Sequence, residues 1–178
     1  HQDELDKSTY SQLSDLGFRR SGKHVYRPNC DGCNACISVR IPLAIFKLSK
    51  SQKRTLAKNK DLTATIKPPC FTEEYYTLYS RYINERHQDG DMYPPSLEQF
   101  ESFLVEAEKH TQFVEFRDPD GLLGTFCIIW QLQYCQDNHL NYLYLGYWVK
   151  ACRKMNYKIS FRPFELLIEG EWTLVQLS

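Results

Sequence analysis

The stretch Asn141-Tyr-Leu-Tyr-Leu-Gly-Tyr-Trp-Val149 is apolar and aromatic along its length and predicts a strand buried on both faces. Just before it, residues 125–138 predict a mostly apolar helix. Further upstream, Thr72 opens a predicted helix and residues 112–116 predict a strand. Strands and helices thus alternate in the second half of the chain, which predicts an α/β fold of the α+β kind around one mixed sheet.

The first half of the chain predicts smaller elements, and Pro68-Pro69 marks a soft boundary after them. We therefore expect two units, residues 1–67 and residues 68–178. The remaining expected elements are a helix ending at Gly17, a strand at Val39–Pro42, a helix with a Ser49 cap that runs to Lys60, a strand at Asp61–Lys67, a helix from Ser96 to Glu108 and two extended segments around Glu169-Gly170.

Charge and cysteine content limit the classes of function. The 178 residues include 22 basic and 22 acidic side chains, so a surface for nucleic acid would have to come from local clustering. No apolar run approaches the ~20 residues of a membrane span, and no signal peptide is recognisable. With seven cysteines, an odd count, we expect a cytoplasmic protein whose thiols are reduced or bound to metal.

Three thiols, Cys30, Cys33 and Cys36, lie at a spacing that lets them reach one metal ion or cluster. A closed site normally has four ligands, so one ligand is missing locally. His24, Cys70 or a residue upstream of position 1 would complete it. The alternative is three reduced thiols in a compact turn.

Basic and aromatic residues surround the thiols and recur along the chain. Arginines suit phosphates and carboxylates, whereas lysines on a helix are more often an ordinary solvated face. No nucleophile elbow, phosphate loop or dinucleotide fingerprint is present. The candidate binding residues are Arg19, Arg20, Lys23, Arg27, Arg40, the basic helix at residues 49–60, Arg81, Arg86 with His87, and the Tyr144-Leu-Gly146-Tyr147 segment.

Several short stretches of the sequence, none of them specific alone, identify a family when they are taken together in this order. The sequence resembles the aminoacyl-tRNA–protein transferases of the N-degron pathway, and most closely the bacterial aspartate/glutamate leucyltransferases. The strings are Gly17-Phe-Arg-Arg-Ser-Gly22, Tyr26-Arg-Pro28, the thiol triplet, Ser51-Gln-Lys-Arg54, Leu78-Tyr-Ser-Arg-Tyr82, Arg86-His87, Met92-Tyr-Pro94, Tyr144-Leu-Gly-Tyr147 and Met155-Asn-Tyr-Lys158.

The resemblance implies a cytoplasmic enzyme that moves leucine, with phenylalanine as a second donor residue, from its tRNA to an N-terminal Asp or Glu. The modified protein would then be degraded. It also implies a small Cys-containing N-terminal module packed on an acetyltransferase-like domain. The expected partners are aminoacyl-tRNA and the acceptor proteins, with neither DNA nor a membrane.

Aminoacyl transfer to an amine needs positioning and oxyanion stabilisation but no protein nucleophile. We expect the transfer itself to need no cofactor, with zinc or an iron–sulfur cluster at Cys30, Cys33 and Cys36, whose fourth ligand would lie upstream of residue 1. The roles suggested by the resemblance are acceptor carboxylate for Arg81 or Arg86, proton transfer or orientation for His87 or Tyr79, RNA binding for Arg19, Arg20, Arg27, Lys53 and Arg54, and further catalytic and substrate contacts for Tyr147 and Tyr144.

Two rival functions share these features. Arginine could be the donated residue, because the acceptor chemistry would be unchanged. Alternatively, the protein could be a non-catalytic RNA- or protein-binding module built around a metal.

One departure from the family concerns Leu123 and Gly124, which are adjacent in this sequence. Relatives carry an extra stretch after the Asp118-Pro-Asp-Gly turn, including an aromatic strand. Either the strand was lost, or the sequence joins two pieces across a missing segment. We expect the second case, with Cα atoms at this junction much farther apart than the ~3.8 Å of bonded neighbours.

Overall fold

The computed structural model describes residues 6–90, 92–106, 111–117 and 124–175, and for residues 124–126 it describes the backbone only. No helix within these ranges is long and apolar enough to cross a membrane. The junction between Leu123 and Gly124 lies outside the described residues, and its expected geometry stays a prediction.

Helix starts follow the capping rules. Ser49 caps α2 (Lys50–Lys58) and forms a reciprocal capping box with Gln52. Thr72 caps α3 (Glu73–Arg86), whose first turn carries two glutamates. These predicted starts are confirmed. The remaining helices are α1 (Lys7–Asp15), α4 (Leu97–Phe100) with a π-helical turn at Glu101–Val105, α5 (Gly124–Asp137) and a 3₁₀ helix at Arg153–Ser160.

A four-stranded sheet forms the centre of the molecule. Its strands are β3 (Ile37–Pro42), β6 (Tyr142–Trp148), β7 (Phe164–Ile168) and β8 (Glu171–Val175), in the order β6-β3-β7-β8. β3 is buried because it lies between β6 and β7. α5 and the α2 region cover this sheet through a core of Ile41, Leu43, Phe46, Ile129, Leu132, Cys135 and Phe161.

The α+β class is confirmed, but every strand pair among the described residues is antiparallel, whereas we expected a mixed sheet. Alternation in sequence did not produce parallel neighbours for two reasons. β5 (Phe113–Arg117) leaves the central sheet and pairs with β4 (Thr63–Lys67). β7 and β8 form a hairpin, which is antiparallel by construction.

Two extended segments were predicted around Glu169-Gly170, and β7 and β8 flank these residues. Both residues have positive φ, 51° and 88°, as a type I′ hairpin turn requires. The extended segment expected before it was wrong at residues 157–160. Those residues belong to the 3₁₀ helix, which packs against β6.

β6 is less buried than its composition predicted. All seven of its residues are partly exposed, because β6 is at the end of the order of described strands. A β-bulge breaks its pairing with β3 between Val39 and Arg40, and Gly146 at this bulge has φ 80°. The bulge gives β6 an irregular surface on which the candidate site is built.

Strands from both predicted units share the sheets. β3 precedes residue 67 and pairs with β6 and β7, and β4 pairs with β5. A separate two-stranded ribbon joins β1 (Arg19–Ser21) and β2 (His24–Tyr26). The division at residue 67 stays a prediction about the chain, and the pairing shows that sheet formation links its two sides.

Candidate active site

The C-terminal end of α1 is held by side chains from distant parts of the chain. The last carbonyl groups of a helix have no partners within it and need donors from elsewhere. Here the donors are Arg19 Nη1 to Ser14 O (3.1 Å), Trp172 Nε1 to Asp15 O (2.9 Å), Arg27 Nη1 to Leu16 O (3.2 Å), and Tyr147 OH (2.8 Å) and Ser38 Oγ (3.3 Å) to Gly17 O. These bonds fix the turn that carries Arg19 and Arg20.

Gly17 allows this close approach. Its φ is 88°, and a Cβ added to it would lie 2.6 Å from Leu167 Cδ2. A larger residue would be strained in its backbone and would collide with β7. Gly17 therefore lets the chain leave α1 and enter β1 directly against the sheet.

A cavity of about 340 Å³ opens between this turn and the bulge in β6. Three cationic side chains and three tyrosines contribute to its lining, and no acidic residue of the described ranges does. The lining residues are Tyr10, Arg19, Arg20, Tyr26, Gly146, Tyr147, Met155 and Lys158. Its chemistry suits an anionic or nucleotide-like ligand.

Arg19 is the most buried cation of the cavity, with 8% of its surface exposed. Its Nη1 donates to Ser14 O at 3.1 Å and to Phe18 O at 2.6 Å. Its guanidinium carbon is 5.1 Å from the ring centroid of Tyr144 and 5.7 Å from that of Tyr147. The Nε and Nη2 groups are buried without a hydrogen-bond partner among the described residues, and burial lowers the pKa of Arg19.

Lys158 approaches the same cavity from the 3₁₀ helix. Its Nζ donates to the carbonyl oxygen of Tyr147 at 2.5 Å. Burial lowers the pKa of Lys158, and the nearby charge of Arg19 lowers it further. No carboxylate of the described residues lies within ion-pair distance of this ammonium.

Tyr144 connects the cavity to an ionic network of Asp15, Arg40 and Glu165, in which the Arg40 side chain is buried. Its hydroxyl donates to the Asp15 carboxylate and accepts from Arg40 Nη1 at 3.3 Å. Burial and the bond to Asp15 raise the pKa of Tyr144 to about 12. Arg40 in turn pairs with Asp15 (2.8 Å) and Glu165 (2.5 Å), which holds Tyr144 against Arg19.

Rings also enclose Arg40. Its guanidinium carbon is 3.7 Å from the centroid of Tyr142 and 4.1 Å from that of Trp172. Arg40 was expected near the thiols as a candidate binding residue. Instead it lies between two strands of the sheet with its charge neutralised, so its contribution to the site is to position Tyr144.

The structure therefore brings together one part of the predicted set. Arg19, Arg20 and Tyr147 line the cavity. Tyr144, three residues before Tyr147 on β6, contacts Arg19. Arg20 donates to Gly22 O and to Thr111 Oγ1. Arg27 lies beside the cavity, bound to α1.

A second group of predicted residues, on α3, does not line the cavity. Arg81 and Arg86 are exposed, and His87 Nε2 lies 2.9 Å from Tyr82 OH. Lys154 bonds the carbonyl oxygen of Arg86 and the Asp89 carboxylate, which ties this helix end to the 3₁₀ helix.

Tyr79 occupies an aromatic cluster instead. Its ring centroid is 5.4 Å from that of Phe100 and 6.3 Å from that of Tyr76. Its hydroxyl is buried without a hydrogen-bond partner among the described residues, and burial raises its pKa. Lys53 and Arg54 are exposed on α2, also outside the cavity.

The thiol triplet lies on the surface. Cys30, Cys33 and Cys36 are all exposed, and Cys33 N donates to Cys30 O at 3.1 Å. Within the described ranges, no three His, Cys, Asp or Glu side chains are grouped closely enough to hold a metal ion. A metal site at these three thiols, with its fourth ligand upstream of residue 1, stays a prediction.

Sequence reasoning missed Lys158 and Tyr10 as site residues. A signal for Lys158 was present in the Met155-Asn-Tyr-Lys158 string, because residues three apart share one face of a 3₁₀ helix. Met155 and Lys158 both line the cavity. Tyr10 gave no signal beyond its place on α1.

Two family models and several curated proteins match this chain. Residues 1–54 match the family described as "Arginine-tRNA-protein transferase, N terminus", and residues 119–168 match "Arginine-tRNA-protein transferase, C terminus". A protein of Hahella chejuensis named aspartate/glutamate leucyltransferase is 46% identical over 97% of this chain and 86% of its own length. Proteins of the same name from Marinobacter nauticus and Pseudomonas fluorescens are 47% and 46% identical, each over 94% of this chain and 83% of their own length.

The chain therefore belongs to the family of aminoacyl-tRNA–protein transferases, and the resemblance stated from its motifs is confirmed. It is an aminoacyltransferase. The alignment with the Hahella protein covers 200 positions, more than the 178 residues of this chain, so that relative has residues without a counterpart here.

Proposed function

We propose that this protein transfers leucine, or in second place phenylalanine, from aminoacyl-tRNA to the amino group of an N-terminal Asp or Glu. The observation that carries the proposal is the cavity at the end of α1, which is cationic and rich in tyrosine and has no acidic lining. The aspartate/glutamate leucyltransferases named above support the choice of donor and acceptor.

The chemistry requires little of the protein. The deprotonated acceptor amine attacks the ester carbonyl, a C–N bond forms, and the C–O bond to the tRNA ribose breaks. The amine loses a proton and the released ribose oxygen gains one. Positioning and charge stabilisation are sufficient for such a step, so we propose that it uses neither a covalent intermediate nor a cofactor.

Arginine and tyrosine residues would bind the RNA. Arg20 at the cavity, Arg27 beside it, and Lys53 and Arg54 on α2 are our candidates for phosphate contacts. Tyr26 is 45% exposed and its ring centroid is 6.0 Å from that of Tyr147, so it offers a face for stacking a base. His87 and Tyr79 stay candidates for proton transfer.

The partners of this reaction would be charged tRNA and proteins whose first residue is Asp or Glu. We propose that the protein works in the cytoplasm, where charged tRNA is present, and that the added residue marks the acceptor for degradation through the N-degron pathway.

A transfer assay with labelled aminoacyl-tRNA tests the proposal. Peptides that begin with Glu, Asp and Ala are offered with leucyl-, phenylalanyl- and arginyl-tRNA in parallel. We expect leucine on the Glu and Asp peptides and none on the Ala peptide. Transfer of arginine alone would make this an arginyltransferase, and tRNA binding without transfer of any residue would support the non-catalytic module.

A further inference from the structure

Two cations in the cavity have no counterion among the residues that the structure describes. Arg19 is buried and Lys158 is partly buried, and neither forms an ion pair with a carboxylate of the described residues. The lining adds Arg20 and no acid. An unpaired charge in such a place is costly, and a bound anion would relieve both the desolvation and the mutual repulsion.

The free edge of Arg19 indicates the shape of that anion. Nη1 is used by two backbone carbonyl groups, which leaves Nε and Nη2 as the unpaired side of the guanidinium. This pair of parallel N–H groups matches the two oxygens of a carboxylate. Lys158 Nζ gives one bond to Tyr147 O, and an ammonium has two further hydrogens to offer.

The burial of the unpaired Arg19 nitrogens favours a side-chain carboxylate over an RNA phosphate as the ligand. Nε and Nη2 are buried, so the ligand must reach them end-on. A phosphodiester has a ribose on each side, so its oxygens approach a buried guanidinium edge less easily than a terminal carboxylate does. The carboxylate of Asp or Glu stands at the tip of a stem of one or two methylene groups and can reach these nitrogens end-on.

We infer that Arg19 and Lys158 form the subsite that reads the acidic side chain of the acceptor's first residue. The inference rests on the function proposed above and adds the residues that set its acceptor specificity. Arg19 then contacts the acceptor instead of the RNA. Arg81 and Arg86, the earlier candidates, are exposed on α3, where an ion pair with a carboxylate discriminates little because water screens it.

The test is the ratio of kcat/KM for a peptide beginning with Glu to that for the same peptide beginning with Gln, with leucyl-tRNA as donor. Arg19→Lys keeps the charge but removes the fork, and Lys158→Gln removes the charge. We expect each variant to lower the Glu/Gln ratio about tenfold or more, with the Gln peptide little affected. Tenfold corresponds to about 1.4 kcal/mol.

Lys150→Gln is the matched control, because Lys150 is exposed and lies two residues after the end of β6. Its ratio should equal that of the unchanged protein. Since Arg19 also holds α1, thermal unfolding of each variant is measured, and Lys158→Gln keeps the test valid if Arg19→Lys does not fold. Lys158→Arg should restore most of the ratio.

Three results would overturn the inference. The Glu/Gln ratio could stay unchanged in Lys158→Gln, the Arg81→Gln or Arg86→Gln variant could abolish it instead, or both cavity variants could weaken binding of uncharged tRNA while leaving the ratio intact. If the unchanged protein transfers leucine to neither peptide, the proposed function fails, and that outcome is distinct from these three.

Discussion

Arg40 is expected to contribute strongly to stability. Its side chain is 8% exposed, pairs with Asp15 and Glu165 and lies between two aromatic rings. Arg40→Ala would leave the Glu165 carboxylate, which is 15% exposed, without its partner. Removing one member of a buried pair costs about 3–5 kcal/mol in the free energy of unfolding, which urea titration measures.

Arg153→Ala provides the comparison, because Arg153 is exposed on the 3₁₀ helix. It should change the free energy of unfolding by less than about 0.5 kcal/mol. Equal losses for the two variants would mean that Arg40 is not an essential link between β3, β7 and α1.

The sequence identified several residues of the candidate site correctly, but it did not show which side chains are buried or what they contact. Arg19, Arg20 and Tyr147 were selected from their strings and do line the cavity. The burial of Arg40 could not be foreseen, since its partner Glu165 is 125 positions away.

Glu115 on β5 links this strand to β4 and α3, and its ionisation should make the free energy of unfolding depend on pH. Bonds from Arg117, Tyr75 and Lys67 lower the pKa of Glu115 to about 2. Because this folded-state pKa is below the unfolded value, the stabilisation is complete above about pH 4.5 and is lost as pH falls toward 2. Urea unfolding at pH 3 and pH 5.5 should show this loss.

Glu115→Gln is the control for that measurement. The variant cannot ionise at this position, so the difference in stability between the two proteins should shrink from pH 5.5 to pH 3. A difference that stays constant over this range would show that Glu115 titrates in the folded protein as it does when unfolded.

If α2 binds tRNA, the affinity for tRNA should depend on salt concentration. Lys53 and Arg54 are exposed side by side, and each phosphate contact that they make would release counterions on binding. The double variant Lys53→Gln/Arg54→Gln should weaken tRNA binding and reduce the slope of log K against log salt by about 1–2. Exchanging the two residues, Lys53→Arg/Arg54→Lys, preserves the charge and should leave the slope unchanged.

Elements with local signals were predictable from sequence. The caps at Ser49, Thr72 and Ser96 depend on neighbours three residues away, and all three are present. The 3₁₀ helix at Arg153–Ser160 was missed because its position is fixed by contacts with β6 and not by a local pattern. The pairing of β4 with β5 likewise joins strands about fifty residues apart.

Because strands before residue 67 pair with strands after it, we expect that residues 1–67 do not fold alone. β3 lies between β6 and β7, and the described partner of β4 is β5, so residues 1–67 lack the partner strands of both. A fragment of residues 1–67 should show little strand signal by circular dichroism and no dispersed amide spectrum by NMR. A well-dispersed spectrum of the isolated fragment would instead support an independent module.

The bonds at the end of α1 have a consequence for the timing of synthesis. Asp15 leaves the ribosome early, yet the indole that binds its carbonyl oxygen belongs to Trp172, 157 positions later. Tyr147 and Lys158 also emerge late. The cavity therefore cannot form before Lys158 has been synthesised, and the hydrogen bonds that hold the end of α1 are complete only after Trp172.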